Sequence, residues 1–273
     1  AYAPGARRRY QVANLFSGLS GPVTTMAVQP NSSALLLGLA DGTLVLWDPV
    51  TGEERGRLSG HTGQVNAVVV SADGKTAVSA AHDALVIVWN LETAQEIRRL
   101  AGHSGAVRTV DISPDGQQIL SGGLGGGSVE NPGELILWNA ASGAEIRRLD
   151  GIPKAVMQAA FAQNGRLILA GSGDPEFTTD VGGDSPEGSL VSVHSWEAAS
   201  GEALDTLNGL ENEIFSLDIS PDGERALIGS YFNNTAVYWD LAAGKEIATL
   251  QGHGDGVRAV ALSADGTQAL TGS

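Results

Sequence analysis

The chain has no cysteine among its 273 residues. Disulfides, thiolate metal centres and covalent thioether haem attachment are therefore excluded, and the redox compartment stays open. No run approaches the roughly 18 apolar residues of a membrane-spanning helix. The longest apolar patch, Ala34–Ala40, is stopped by Asp41. Apolar residues at helical spacing are also lacking, so no long amphipathic helix is expected. Positive charge is scarce: 16 Lys and Arg stand against 31 Asp and Glu, for a net charge of −15. That field repels a phosphate backbone, which argues against a nucleic-acid partner and names no other. No membrane insertion is expected, and no signal peptide is legible. The chain opens at Ala1 without a Met, so it is expected to be processed or to belong to a longer polypeptide, with further domains as possible partners. Localisation is left open.

Glycine, by contrast, is abundant, 37 of 273 residues, about twice average usage and without a collagen period. Its placement is regular. A Gly opens each of six units, at Gly18, Gly60, Gly102, Gly151, Gly209 and Gly252. Thirteen residues after each comes a turn residue: Asn31, Asp73, Asp115, Asn164, Asp222 and Asp265. Five units hold a Trp (Trp47, Trp89, Trp138, Trp196, Trp239), and thirteen residues separate each from the next opening Gly. Only the stretch from turn to Trp varies: 16, 16, 23, 32 and 17 residues.

The unit beginning at Gly60 shows the local structure. Three β-branched-rich runs, Val65–Val70, Thr76–Ala80 and Leu85–Trp89, precede a more polar one at Glu96–Leu100. Turn chemistry at Asp73-Gly74, His82-Asp83-Ala84 and Thr93-Ala94 separates them. The pattern predicts four short antiparallel strands, a sheet that cannot bury two faces without copies of itself alongside. Residues 1–9 read as a flexible lead-in. Tyr10–Leu15 aligns with the fourth strands Arg55–Leu58 and Ile97–Leu100 but precedes any first strand. It is expected to complete the last unit and close a ring, which removes two sheet edges.

With the six units in fixed phase, residues 10–273 resemble the WD-repeat family of β-propellers. The residues that carry the likeness are Gly60-His61, Gly102-His103 and Gly252-His253 at unit starts, Trp47-Asp48 and Trp239-Asp240 at third-strand ends, and Asp41 and Asp83, each six residues before its Trp. Leu19, Ile152 and Leu210 depart from the His, and Asn90, Asn139 and Glu197 from the final Asp. The resemblance implies an all-β propeller of four-stranded antiparallel blades, with first strands lining a central channel and fourth strands on the rim. Five whole blades and one split blade are expected here. The complete ring is expected to be seven-bladed, with the polypeptide continuing beyond Ser273.

His61, Ser79 and Asp83 have the residue types of a hydrolytic triad. A triad is needed once and must meet an oxyanion hole. This set instead recurs in part, as His103 with Ser121 and His253 with Thr271, and no G-x-S-x-G elbow surrounds the serines. The resemblance implies that His61, Ser79, Asp83 and Trp89 form a buried hydrogen-bonded tetrad, with His103, Ser121 and Trp138 as its counterpart. The acidic stretch Asp174–Glu187 has oxygen ligands suited to calcium, with Asp174, Asp180 and Asp184 as candidates. The D-x-[DN]-x-[DN]-G spacing is missing, however, and the stretch reads as a solvated loop. His82 and His194 are lone histidines near strand ends and do not read as metal ligands. No cofactor is expected.

Nearly all insertion falls between second and third strands, in Gly122–Glu134 of unit three and Gly173–Gly188 of unit four. Both insertions project from the face that carries the Gly-His loops. There the second residue of the first strand varies (Thr24, Asn66, Arg108, Met157, Phe215, Arg258) on a constant frame of Val23, Val65, Val107, Val156, Ile214 and Val257. Variable side chains on a fixed frame make a specific binding face. Asn66, His82, Arg108, Met157, Phe177, Phe215, Tyr231, Phe232 and Arg258 are its expected contact residues. The expected function is a non-catalytic scaffold that binds a protein or peptide on this face. Alternatives are a sensor or regulatory propeller of a larger signalling protein, and a propeller enzyme or calcium module using the unit-four carboxylates.

Overall fold

The computed structural model describes residues 18–126, 131–173, 193–207, 214–220, 222–230, 233–263 and 265–273. Within them the chain is all-β apart from one 3-10 turn, Gln163–Gly165. Blade 1 contains β1 (Val23–Val28), β2 (Leu35–Leu39), β3 (Thr43–Asp48) and β4 (Glu53–Ser59). Blade 2 contains β5 (Val65–Val70), β6 (Thr76–Ala81), β7 (Leu85–Asn90) and β8 (Gln95–Ala101). Blade 3 contains β9 (Val107–Ile112), β10 (Gln118–Gly123), β11 (Glu134–Asn139) and β12 (Glu145–Arg148). Blade 4 contains β13 (Ala155–Ala162), β14 (Leu167–Gly173), β15 (Val193–Glu197) and β16 (Ala203–Leu207). Blade 5 contains β17 (Ile214–Ile219), β18 (Arg225–Ser230), β19 (Ala236–Asp240) and β20 (Lys245–Leu250). A sixth, two-stranded sheet pairs β21 (Ala259–Leu262) with β22 (Ala269–Gly272). In every sheet the spatial order follows chain order and all pairings are antiparallel. First strands of successive blades lie against each other: β1 on β5, β5 on β9, β9 on β13, β13 on β17 and β17 on β21. The protein is a β-propeller, and among the described residues its sheets form an incomplete ring. Tyr10–Leu15, expected to complete the last blade, lies outside the described residues.

The core lies between sheets. Leu36, Leu44 and Leu58 of blade 1 pack on Ala77, Ile87 and Trp89 of blade 2. From the other face of blade 2, Val78, Val86, Val88 and Leu100 pack on Ile119, Ile136 and Trp138 of blade 3. Leu120, Leu135 and Leu137 meet Ile168 and Trp196 of blade 4, and Leu167 and Leu169 meet Ile228 and Trp239 of blade 5. Alternate residues therefore face opposite neighbours, and both sets are apolar. This is why the second and third strands read as near-continuous apolar runs rather than alternating ones. Among the described residues the blade 1 end of the arc lacks this cover: Met26 is 63% exposed, whereas its counterpart Val110 in blade 3 is 8% exposed.

Short polar staples fix the turns and the stacking. In four blades an S-x-D-G turn joins the first two strands. Ser71 Oγ donates to Asp73 Oδ1 (2.6 Å) and accepts the Thr76 N–H (3.0 Å), while Asp73 Oδ1 accepts the Lys75 N–H (3.0 Å). Ser113/Asp115, Ser220/Asp222 and Ser263/Asp265 repeat the pattern. Gly74 takes φ +73°, a left-handed conformation that suits glycine. Between blades, Asp111 accepts the Phe161 N–H (2.8 Å) and Asp218 accepts the Leu262 N–H (2.6 Å), each tying a first strand to the next.

The Gly that opens a unit answers two different needs. At Gly18, Gly151 and Gly252 the backbone is left-handed (φ +93°, +92° and +139°). At Gly60 and Gly102 the requirement is space: a Cβ would sit 2.8 Å from the Trp89 or Trp138 ring. Those rings are buried and hydrogen-bonded, so they cannot yield cheaply. Gly60→Ala is expected to lower unfolding free energy by about 1–3 kcal/mol in urea titration. A variant as stable as the parent would show that the ring moves freely.

Candidate interaction face

Among the described residues two blades hold complete polar tetrads. In blade 2 the Trp89 indole N–H donates to Ser79 Oγ (2.7 Å), and Ser79 lies 2.7 Å from His61 Nε2. His61 Nδ1 lies 3.0 Å from Asp83 Oδ2, and Asp83 also accepts the N–H groups of Thr62 (2.8 Å) and Leu85 (3.1 Å). One hydrogen arrangement satisfies every group. The indole donates to Ser79, the Ser79 hydroxyl donates to Nε2, and Nδ1–H donates to the carboxylate. That arrangement requires a neutral imidazole. Burial indeed holds the His61 pKa below its ordinary value, against the pull of Asp83. Ser79 has 0% exposure, so no substrate carbonyl reaches its hydroxyl, and the triad reading has no geometry here.

Blade 3 repeats the tetrad with a different acid. His103 Nε2 lies 2.7 Å from Ser121 Oγ, which accepts the Trp138 indole N–H at 2.7 Å. His103 Nδ1 faces Glu134 Oε2 at 3.2 Å. Six residues before Trp138 stands Pro132 rather than Asp. Glu134, on the far side of the insertion and one methylene longer, fills the place. Sequence reasoning missed it; an acid at the start of the third strand directly after the insertion was the available signal. Burial pushes the His103 pKa down to about 4. In the sixth sheet His253 Nε2 contacts Thr271 Oγ1 at 2.7 Å. Blade 5 has Ile228 in the serine's place, and Trp239 Nε1 is buried with no partner among the described residues.

The third-strand departures from Asp are also intelligible. Asp48 Oδ1 accepts the Val50 and Thr51 N–H groups, and Asn90 Oδ1 accepts those of Glu92 and Thr93 at 2.8 and 3.0 Å. Asn139 Oδ1 accepts the Ser142 N–H at 2.8 Å. The turn needs an acceptor oxygen two or three residues back, not a charge.

Above the tetrads a repeated backbone irregularity forms the face. In blades 1 to 5 the pairing of first and second strands slips by one residue: between Val23 and Thr25, Val65 and Ala67, Val107 and Thr109, Val156 and Gln158, and Ile214 and Ser216. The skipped residues are Thr24, Asn66, Arg108, Met157 and Phe215, the same positions whose identities vary. A bulge residue has no cross-strand partner and re-aims its side chain. Asn66 is half-buried; its Nδ2 donates to Val107 O of the next blade (2.7 Å), and its Oδ1 lies 3.1 Å from His82 Nδ1. Thr24 Oγ1 likewise donates to Val65 O at 2.6 Å. His82 is largely exposed, and the partial desolvation of its ring together with the nearby charge of Arg108 lowers its pKa. Arg108 and Phe215 are half-buried, and Arg258 is exposed. Met157 is buried at 8% exposure and presents little surface. Phe177, Tyr231 and Phe232, and the calcium candidates Asp174, Asp180 and Asp184, lie outside the described residues. Among the described residues no group of three or more His, Cys, Asp or Glu could hold a metal ion. No helix there is long and apolar enough to cross a membrane.

A family model described as "WD domain, G-beta repeat" matches residues 11–48, 52–90, 94–129 and 244–273, together more than half of the chain. No curated protein matches it.

Asp83→Ala leaves His61 Nδ1 and two backbone N–H groups without their acceptor, and is expected to lower stability by about 1–3 kcal/mol in denaturant unfolding. A parental midpoint would contradict that. The pH response of His103 has a definite sign. The unfolded chain takes up a proton near 6.5 while the folded ring resists until about 4, so its contribution is complete above 6.5 and is lost as pH falls towards 4. Between pH 7 and pH 5 the parent is expected to lose about 2 kcal/mol more than His103→Gln. Using the difference removes the contribution of Asp111, whose pKa burial raises to about 6 and whose effect runs the opposite way.

Proposed function

Because the chain belongs to the WD-repeat family, whose propellers generally serve as non-enzymatic scaffolds for protein–protein interaction, we propose that it binds a protein or peptide on the face formed by the bulge residues and the blade 3 and blade 4 insertions. The units starting near residues 18, 60, 102, 151, 209 and 252 are read as one interaction module. The observation that carries this reading is the bulge repeated in five blades. Each bulge places one side chain outside the pairing ladder, on a frame whose flanking residues Val65, Val107, Val156 and Ile214 are buried. The side chain can then change identity without disturbing the sheet. We read the two insertions as additions to the same face, since surface connections tolerate added length at small entropic cost.

The opposite face offers a built-in control. It carries the tight S-x-D-G turns, whose polar atoms are already paired within each turn. A photo-crosslinking residue in place of Gln64, exposed beside the first bulge of blade 2, is expected to form covalent adducts with a partner in cells. The same residue in place of Gln117, exposed on a turn of the other face, is not. Adducts from Gln117 but not Gln64 would reverse the assignment of the face.

A further inference from the structure

Acids outnumber bases about two to one in this chain, and four guanidiniums of the outer strands pair with carboxylates. Arg55 meets Asp48, Arg57 meets Glu54 at 2.7 Å, Arg99 meets Glu96 at 2.8 Å and Arg148 meets Glu145 at 3.0 Å. Arg108 does not. Its guanidinium is half-buried, its Nε is out of contact with solvent, and that atom has no hydrogen-bond partner among the described residues. No ion pair to it is found there either, and burial alone acts on its ionisation, holding its pKa below the ordinary value. Arg98 and Arg147 also leave an Nε unpaired. Their stems, however, lie over Gly143 and Gly201 in the turns of the next blade, and Arg147 Nη2 donates to Ala199 O at 3.2 Å. Those two are used in stacking.

The bulge residues of blades 1 and 2 hydrogen-bond to the neighbouring blade, Thr24 to Val65 O and Asn66 to Val107 O. Arg108 is the next member of that series and makes no such bond among the described residues. A partly desolvated cation without a counter-charge destabilises the fold that holds it. His82 and Asn66 lie on its blade 2 side, joined to each other at 3.1 Å. His82 is close enough for the guanidinium charge to disfavour its protonation.

We propose that Arg108, with His82 beside it, receives an oxyanion of the docked partner segment, either the carboxylate of an Asp or Glu side chain or a phosphate. The inference rests on the reading that this face binds a peptide or protein. The two Nη groups of the planar guanidinium present parallel N–H donors that match either oxyanion, and such charge-assisted bonds strengthen where water is already partly excluded. The surrounding chain carries net charge −15, so the attraction is confined to contact range and long-range steering opposes it.

The test uses the full chain and three peptides: a hexaglutamate, a phosphoserine peptide with otherwise neutral residues, and a neutral Gly-Ser peptide. Arginine Nε–H resonances are followed by NMR, with Arg108→Met assigning the one that belongs to Arg108. The expected result is a saturable shift of that resonance with one or both anionic peptides and none with the neutral one. The peptide that binds at least tenfold more tightly identifies the oxyanion. Binding is expected to fall at least tenfold in Arg108→Met and in Arg108→Gln, while Arg108→Met melts no lower than the parent because an uncompensated charge has been removed. Two results would overturn the proposal: a melting temperature several degrees lower in both variants, which would show the guanidinium paired in solution, or equal responses to all three peptides. Crosslinking from Gln64 decides separately whether the face binds a partner at all.

Discussion

Each blade buries apolar side chains on both faces, and the contact between neighbouring faces is the constraint from which the other features follow. Leu36, Ile87, Leu120, Ile136 and Ile168 are all fully buried between sheets. A large aliphatic side chain contributes about 1.5–3 kcal/mol when buried, whereas a typical internal hydrogen bond contributes about 1. Stacking therefore outweighs the tetrads in holding the molecule together. The tetrads act differently: they fix where the Trp ring sits. Once Trp89 and Trp138 are fixed, the chain crossing them at Gly60 and Gly102 has no room for a side chain. The Gly-His pair and the distant Trp are thus consequences of one packing problem.

A rigid stack leaves few places where residues can vary. The strands are constrained on both faces and the S-x-D-G turns are closed by their own hydrogen bonds. The first-strand bulge and the connection between second and third strands are the exceptions, and both lie on one side. Polar residues at the inner strands, Thr24, Asn66, Asp111 and Asp218, bridge one blade to the next through backbone groups that no strand pairs. Arg108 occupies one of these positions without such a bridge, which is what sets it apart.

Much of this was legible in the sequence because the period is set by turns and Trp residues that have strict local requirements. The expected strands of blade 2 match β5 to β8 to within one residue at each end. What was not legible depends on register. The bulge is a slip in pairing, invisible in a one-dimensional pattern, so the variable positions could be located but not explained. Met157 reads as an exposed anchor by its place in the repeat, yet packing draws it into the core. Glu134 escaped because an insertion moved the acid away from its usual distance to the Trp. Asn90 and Asn139 count as departures when letters are compared, although the oxygen they present performs the same bond.

The agreement of strand order with chain order in every sheet has a kinetic corollary. Each blade assembles from about forty consecutive residues, through hairpins closed by short turns, so its contacts are local and its loop-closure cost is small. Ordering can begin in any blade and spread to its neighbours, as in a linear lattice where each element senses only the adjacent ones. Damage to one blade is then felt mainly by the two that flank it.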